Sequence, residues 1–103
     1  IPGVRVAESL FEADPSWFGV PLITNTPETK EKLQAFLETN RIQTRNYFAG
    51  NILLHPGYKH LGNAADFPNA NMALSNVFFV GCPPHYGDDV FAYYESVLAK
   101  WLG

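Results

Sequence analysis

The chain holds a single cysteine, Cys82. One thiol excludes an internal disulfide framework and a multi-cysteine metal site. Lysine and arginine are scarce too, seven together against ten Asp and Glu, giving a net charge of −3 with no cationic run. Nucleic acid is therefore not expected as a partner, because neutralising phosphates needs clustered cations. No apolar run approaches the roughly 20 residues that span a bilayer. No basic stretch followed by a long apolar one reads as a signal peptide. The expectation is a soluble, cytoplasmic protein without a membrane partner. Glycine-rich phosphate loops, a Gly-x-Ser-x-Gly elbow and a dinucleotide fingerprint are all missing. His55, His60 and His85 lack the spacing of zinc ligands, so no metal is expected. Asp88 and Asp89 suit the positive end of a helix better than an acid–base pair. Cys82 has His85 three residues on, but Pro83 and Pro84 between them impose an extended path. A half-buried thiol is the expected state there. No complete catalytic set is present.

What is there is enough apolar material, 47% of 103 residues, for the core of one ordinary domain. Ile1 to Glu12 show no clear period and read as an extended lead-in. Asp14-Pro15-Ser16 is turn chemistry. Trp17 to Thr24 is rich in aromatic and β-branched residues and reads as a strand. Pro21 within it lacks an N–H, which predicts a sheet edge or a bulge. Thr26-Pro27-Glu28 is a helix start, and Leu33, Phe36 and Leu37 form one stripe, predicting a helix over Pro27–Thr39 with Asn40 as its left-handed stop.

Ile42 to Phe48 is a second strand, and Ala49 to Ala65 a long irregular loop of the kind that is usually functional. Asp66 is placed to cap a short helix that ends near Ser75, with Pro68 in its first turn. Val77 to Gly81 reads as a buried central strand. From Gly87 onward, Val90, Phe91, Tyr94, Val97, Leu98 and Trp101 recur on one side of a helix, the strongest helical pattern in the chain. These six anchors are expected to hold the domain together. The order predicts an α+β two-layer sandwich, a short sheet of two to four strands with helices on one face.

Arg45 stands on the second strand, where its guanidinium fork suits a carboxylate or phosphate. Tyr47, Phe48, Tyr58 and Asn51 lie around the following loop. Aromatics beside an amide suit a sugar or a base. The same pattern also fits a small apolar cluster under a long loop, and both readings stand at this point.

Three blocks carry a resemblance. They are Asp14-Pro15-Ser16-Trp17-Phe18-Gly19-Val20-Pro21, the run Asn40-Arg41-Ile42-Gln43-Thr44-Arg45-Asn46-Tyr47-Phe48-Ala49-Gly50-Asn51, and Phe67-Pro68-Asn69-Ala70 leading to Val77–Gly81. In this order they resemble the C-terminal small domain of the pyridoxal-phosphate sugar enzymes of the DegT/DnrJ/EryC1/StrS family. The start Asp14-Pro15-Ser16-Trp17-Phe18-Gly19 and the block Thr44-Arg45-x-x-Phe48-Ala49-Gly50-Asn51 resemble most the branch of nucleotide-linked 4-keto-6-deoxyhexose 3-dehydrases of lipopolysaccharide and O-antigen synthesis. The aminotransferases of the family carry a His/Tyr-rich, proline-containing stretch there instead.

The resemblance implies a division at about residue 14, with 1–13 a lead-in and 14–103 the small domain. It implies a parent enzyme whose large domain, N-terminal to this chain, holds pyridoxal phosphate or its pyridoxamine form. No cofactor is expected on this chain alone, and the start at Ile1 without Met agrees with a fragment. The implied reaction is loss of the 3-hydroxyl from a CDP- or GDP-linked 4-keto-6-deoxyhexose, with the cofactor ring as electron sink. The small domain would close over the substrate and help exclude water. Trp17, Phe18, Arg45, Phe48 and Asn51 are the implied substrate contacts, with His55 a further candidate and Gly50 allowing close backbone approach. The parent is expected to be a homodimer and the fragment to self-associate. Two alternatives stand beside this: an aminotransferase parent, which would carry lysine where the dehydrase branch has histidine, and a free-standing α+β binding module.

Overall fold

Val77–Gly81 pairs antiparallel with Gly19–Thr24, and this pair is the spine of the structure. The computed structural model describes residues 2–102. In chain order its elements are β1 (Val4–Val6), β2 (Gly19–Thr24), α1 (Pro27–Thr39), β3 (Thr44–Asn46), α2 (Pro68–Asn76), β4 (Val77–Gly81) and α3 (Asp88–Leu102). Three short 3-10 turns, Ile52–Leu54, Lys59–Leu61 and Ala64–Asp66, organise the segment between β3 and α2. The sheet has four strands in the order β1-β2-β4-β3, every pair antiparallel. This is the expected small α+β fold.

Alternation along the strands sorts the two faces. Leu22 lies opposite Phe78 and Val20 opposite Val80, and these share one face. There they meet Leu33 and Leu37 of α1, Ile42, and Val97 of α3, which together form the core. Pro21 opposite Phe79 and Gly19 opposite Gly81 lie on the other face.

Pro21 is not at a sheet edge, because β1 flanks β2 on the side away from β4. Its carbonyl accepts from the Ala7 N–H at 3.1 Å, so the missing N–H faces the same way. The proline therefore removes a ladder bond just where β1 ends, and β4 on the other side is unaffected. The lead-in contributes that edge strand, which the short Val-Arg-Val alternation did not announce.

α1 forms as its sequence dictates. Thr26 Oγ1 accepts from the Thr29 N–H at 3.1 Å, and Pro27 occupies the first turn. The stop is one residue later than expected. Asn40 caps at φ −90, and Arg41 takes the left-handed position at φ 64. Arg41 N–H donates to the Glu38 carbonyl at 3.0 Å and Ile42 N–H to the Leu37 carbonyl at 2.9 Å, the Schellman pattern. Ile42 and Leu37, both buried, supply its apolar contact.

Two further expectations change. Asp66 does not cap α2; Phe67 holds that position, with no side-chain cap bond. Asn63 Oδ1 accepts from the Ala65 N–H at 3.0 Å and draws Asp66 into a 3-10 turn first. In α3 only Val97 is fully enclosed; Tyr94, Leu98 and Trp101 are half-buried, and Phe91 is 44% exposed. Its apolar stripe is real, but the described residues offer too little surface to cover it. α3 shares the core with the β2–β4 pair and α1 through Val97, with Tyr94, Leu98 and Trp101 packed against it. Among the described residues no helix is long and apolar enough to cross a membrane.

Candidate functional site

Phe79 is the odd member of its strand. Phe78 and Val80 face the core, so alternation turns Phe79 to the opposite face, where an aromatic cluster gathers on it. Phe48 stacks on Phe79 with centroids 5.6 Å apart at 25°. Phe18 meets the same ring edge-on at 5.8 Å, and Tyr47 at 6.4 Å. Phe18 and Phe48 are 6.0 Å apart. Trp17 and Ser16 complete a cavity of about 170 Å³. Phe18 and Phe48 nonetheless remain 77% and 68% exposed.

Two local features make this possible. At Gly19 an added Cβ would collide with the Phe79 ring, so glycine lets the ring lie flat on β2. Phe48 sits at φ 52, which swings its ring back over the sheet after β3 ends, and its N–H donates to the Asn46 carbonyl at 2.7 Å. Cys82, half-buried as expected, donates from Sγ to the Trp17 carbonyl at 3.6 Å and ties that segment to the end of β4.

The structure thus brings Trp17, Phe18 and Phe48 together. Arg45 lies opposite Phe79 in register but lines a second, more polar groove of about 460 Å³. Arg41, Gln43, Tyr86, Tyr93 and Tyr94 also line it, and Phe79 borders both cavities. Tyr94 donates to the Gly81 carbonyl at 3.2 Å. Burial, and next the neighbouring Tyr86, push its phenol up to about 12. Glu38 accepts from Thr44 N–H at 2.7 Å and Thr44 Oγ1 at 3.0 Å. Those bonds, with Arg45 contributing less, hold its carboxyl below the usual range.

Asn51 stands apart. It is buried at 3% exposure, and its Nδ2 donates to Asn71 Oδ1 at 2.8 Å and the Ala64 carbonyl at 3.2 Å. Its Oδ1 accepts from the Leu53 N–H at 3.1 Å. Those bonds pin the long loop to α2. The close approach at Gly50 is also internal. At φ 66, an added Cβ would lie 2.6 Å from the Leu74 Cβ. His55 Nε2 lies 3.1 Å from the Ala49 carbonyl, outside both cavities. Phe79 escaped the sequence reading because a continuous apolar run hides which residue faces out.

The lysines do not form a place for pyridoxal phosphate. Lys30 donates its ammonium to the Leu74 carbonyl at 2.8 Å, and burial holds its pKa below the usual value. Lys32, Lys59 and Lys100 are exposed, and no lysine lines either cavity. Among the described residues none of the lysines is placed to hold that cofactor in either cavity.

Comparison with known proteins agrees with the aromatic blocks. The chain is 30% identical, over 99% of its length, to a dTDP-4-dehydro-2,6-dideoxy-D-glucose 3-dehydratase of Saccharopolyspora spinosa, of which it covers 23%. It is 25% identical, over 97% of its length, to the lipopolysaccharide biosynthesis protein RfbH of Salmonella typhimurium, of which it covers 24%. The chain spans about a quarter of the length of these curated relatives. The model of the DegT/DnrJ/EryC1/StrS aminotransferase family matches residues 1–95, and the chain belongs to that family.

Proposed function

We propose that this chain is the substrate-facing C-terminal part of a nucleotide-sugar 3-dehydratase, acting in lipopolysaccharide or O-antigen sugar synthesis in the cytoplasm. The observation that carries this is the aromatic pocket on the face of the sheet opposite the core. It is assembled from Trp17 and Phe18 of one block and Phe48 of another. Flat apolar rings around a small cavity suit the face of a base or a sugar. The relationship to a 3-dehydratase supplies the reaction class. The pyridoxal cofactor and the base that works with it belong, on this reading, to the part of the enzyme outside these residues. The pocket's own work is to position the substrate and exclude water beside them.

Roles follow for the individual residues. Trp17, Phe18 and Phe48 are walls of the substrate site, and Arg45 meets an anionic group of the substrate at the adjoining groove. Asn51 contributes by holding the loop behind Phe48. The whole enzyme works as a homodimer.

The test is steady-state kinetics of the full-length protein with dTDP-, CDP- and GDP-linked 4-keto-6-deoxyhexoses. Loss of a stacking side chain is worth about 1–3 kcal/mol. Trp17→Ala and Phe48→Ala should therefore lower kcat/KM for the true substrate by about 10- to 100-fold. Unchanged kcat/KM in both variants, with the fold intact, would sink the substrate role. Transfer of an amino group to the sugar, in place of loss of its 3-hydroxyl, would make the enzyme an aminotransferase of the same family.

A further inference from the structure

Among the described residues Lys30 is the only buried side chain that carries a charge. Burial disfavours its charged form, and no carboxylate among the described residues offsets that. Its one partner is a backbone oxygen: Lys30 Nζ donates to the Leu74 carbonyl at 2.8 Å. Leu74 lies in the last turn of α2, where carbonyls lack helical partners and a cation is favoured. Thr24 Oγ1 closes the same end, donating to the Asn76 carbonyl at 2.8 Å. α1 and β2 thus hold the C-terminal end of α2 in place.

α2 in turn stands behind the segment that carries Phe48. Leu74 packs directly on Gly50, where an added Cβ would lie 2.6 Å from the Leu74 Cβ and 3.1 Å from its Cα. Asn71, on the same helical face as Leu74, accepts from Asn51 Nδ2 at 2.8 Å. Gly50 and Asn51 follow Phe48 closely in the chain. The turn's own backbone bonds are local, from Phe48 N–H to the Asn46 carbonyl at 2.7 Å and from Gly50 N–H to the Tyr47 carbonyl at 3.4 Å. β3 has ended at Asn46, and the Phe48 ring is too exposed to be held by enclosure. Its place over Phe79 therefore depends on what backs the turn.

We propose that Lys30 is a positioning residue for the substrate pocket: acting through Leu74 and Gly50, its ammonium fixes where α2 stands behind the turn, and so where the Phe48 ring lies over Phe79. This rests on the reading of Phe48 as a wall of the substrate site. A capping role alone would stabilise α2 and leave the pocket indifferent to Lys30.

The test uses the full-length protein with whichever of the dTDP-, CDP- and GDP-linked 4-keto-6-deoxyhexoses it turns over best. Lys30→Met keeps the apolar stem and removes the donor. It should raise KM about tenfold and leave kcat within about twofold, because binding is lost equally before and at the transition state. Lys30→Arg, which restores a donor, should recover most of the loss. Leu74→Ala, at an exposed position, breaks the same relay one step later and should act like Lys30→Met. It carries the test where Lys30→Met does not fold. Added to Phe48→Ala, neither change should lower kcat/KM further, since the ring they position is gone. Hydrogen exchange gives a readout apart from activity. The amides of residues 47–51 should exchange at least about tenfold faster in Lys30→Met, with β4 unchanged. Parent-like KM in Lys30→Met and Leu74→Ala, beside a loss in Phe48→Ala, would overturn the positioning role and keep the substrate reading. A loss that Lys30→Arg does not recover, or that adds in full to that of Phe48→Ala, would overturn it too. Faster exchange with full activity in every variant, Phe48→Ala included, would sink the substrate reading and leave the link from Lys30 to the turn standing.

Discussion

Gly19 is the residue on which the aromatic pocket depends most directly. A methyl there would enter the space of the Phe79 ring. Gly19→Ala should destabilise the protein by about 1–3 kcal/mol, the usual effect of overpacking, measured as a lowered urea midpoint at unchanged m-value. It should also disturb the pocket, because Phe79 is its floor. Arg41 makes the opposite case. Arg41→Gly should stabilise by about 1 kcal/mol, since glycine accepts the left-handed position without steric conflict. A destabilised protein would contradict this account of its backbone. Neither Arg41 nor Phe48 was legible as a left-handed residue. Asn and Gly announce that conformation in a sequence; Arg41 reaches it as the stop of α1, with no residue type to announce it. The expectation accordingly fell on Asn40, one position early.

At the scale of elements, legibility followed the range of the interactions. α1 was readable from end to end, because its Thr26 cap, its Pro27 and its apolar stripe act within a few residues. β4 was readable as a strand, but its outward residue was not, because facing is decided by partners distant in sequence. The long loop was read as irregular, and its 3-10 turns depend on Asn51 and Asn63 finding particular N–H groups. Asn51→Ala should cost about 1–3 kcal/mol by leaving buried groups unpaired. Limited proteolysis should then cut first between residues 52 and 66; an unchanged cleavage pattern would contradict the loop-pinning role. Tyr94 ties α3 to the end of β4 through the Gly81 carbonyl. Its phenol is raised from 10.0 to about 12 by burial first and by Tyr86 second. The folded state therefore holds this proton more tightly than the unfolded chain. Its stabilising contribution is complete below pH 10 and is lost as pH rises through about 12. Denaturant melts across that range should show a steeper loss for the parent than for Tyr94→Phe, and parallel curves would contradict the coupling.

For the whole molecule, the fold class was legible and the surface was not. The order of elements pointed to a small α+β sandwich, but a stripe of apolar residues says which face seeks cover, never what provides it. Leu10 is 82% exposed and Phe11 fully so, and Leu61 is 63% exposed on the loop. Phe91 and Leu102 of α3 and Phe18 and Phe48 of the aromatic pocket are exposed as well, and exposed apolar groups of this number favour association. Light scattering on the 103-residue chain alone should give a mass above 11.5 kDa that grows with concentration. A strict monomer at every concentration would favour a free-standing binding module. The antiparallel pairing of β2 with β4 has a further consequence for how the chain acquires its shape. Leu22 finds Phe78 only after more than fifty intervening residues have been laid down, and no hairpin nucleates the central pair. Loop closure over that distance comes before any of its reward. On the ribosome, α1 can form early, but the central ladder must wait until β4 emerges, so a nascent chain stopped before Val77 carries β2 without the strand that completes it.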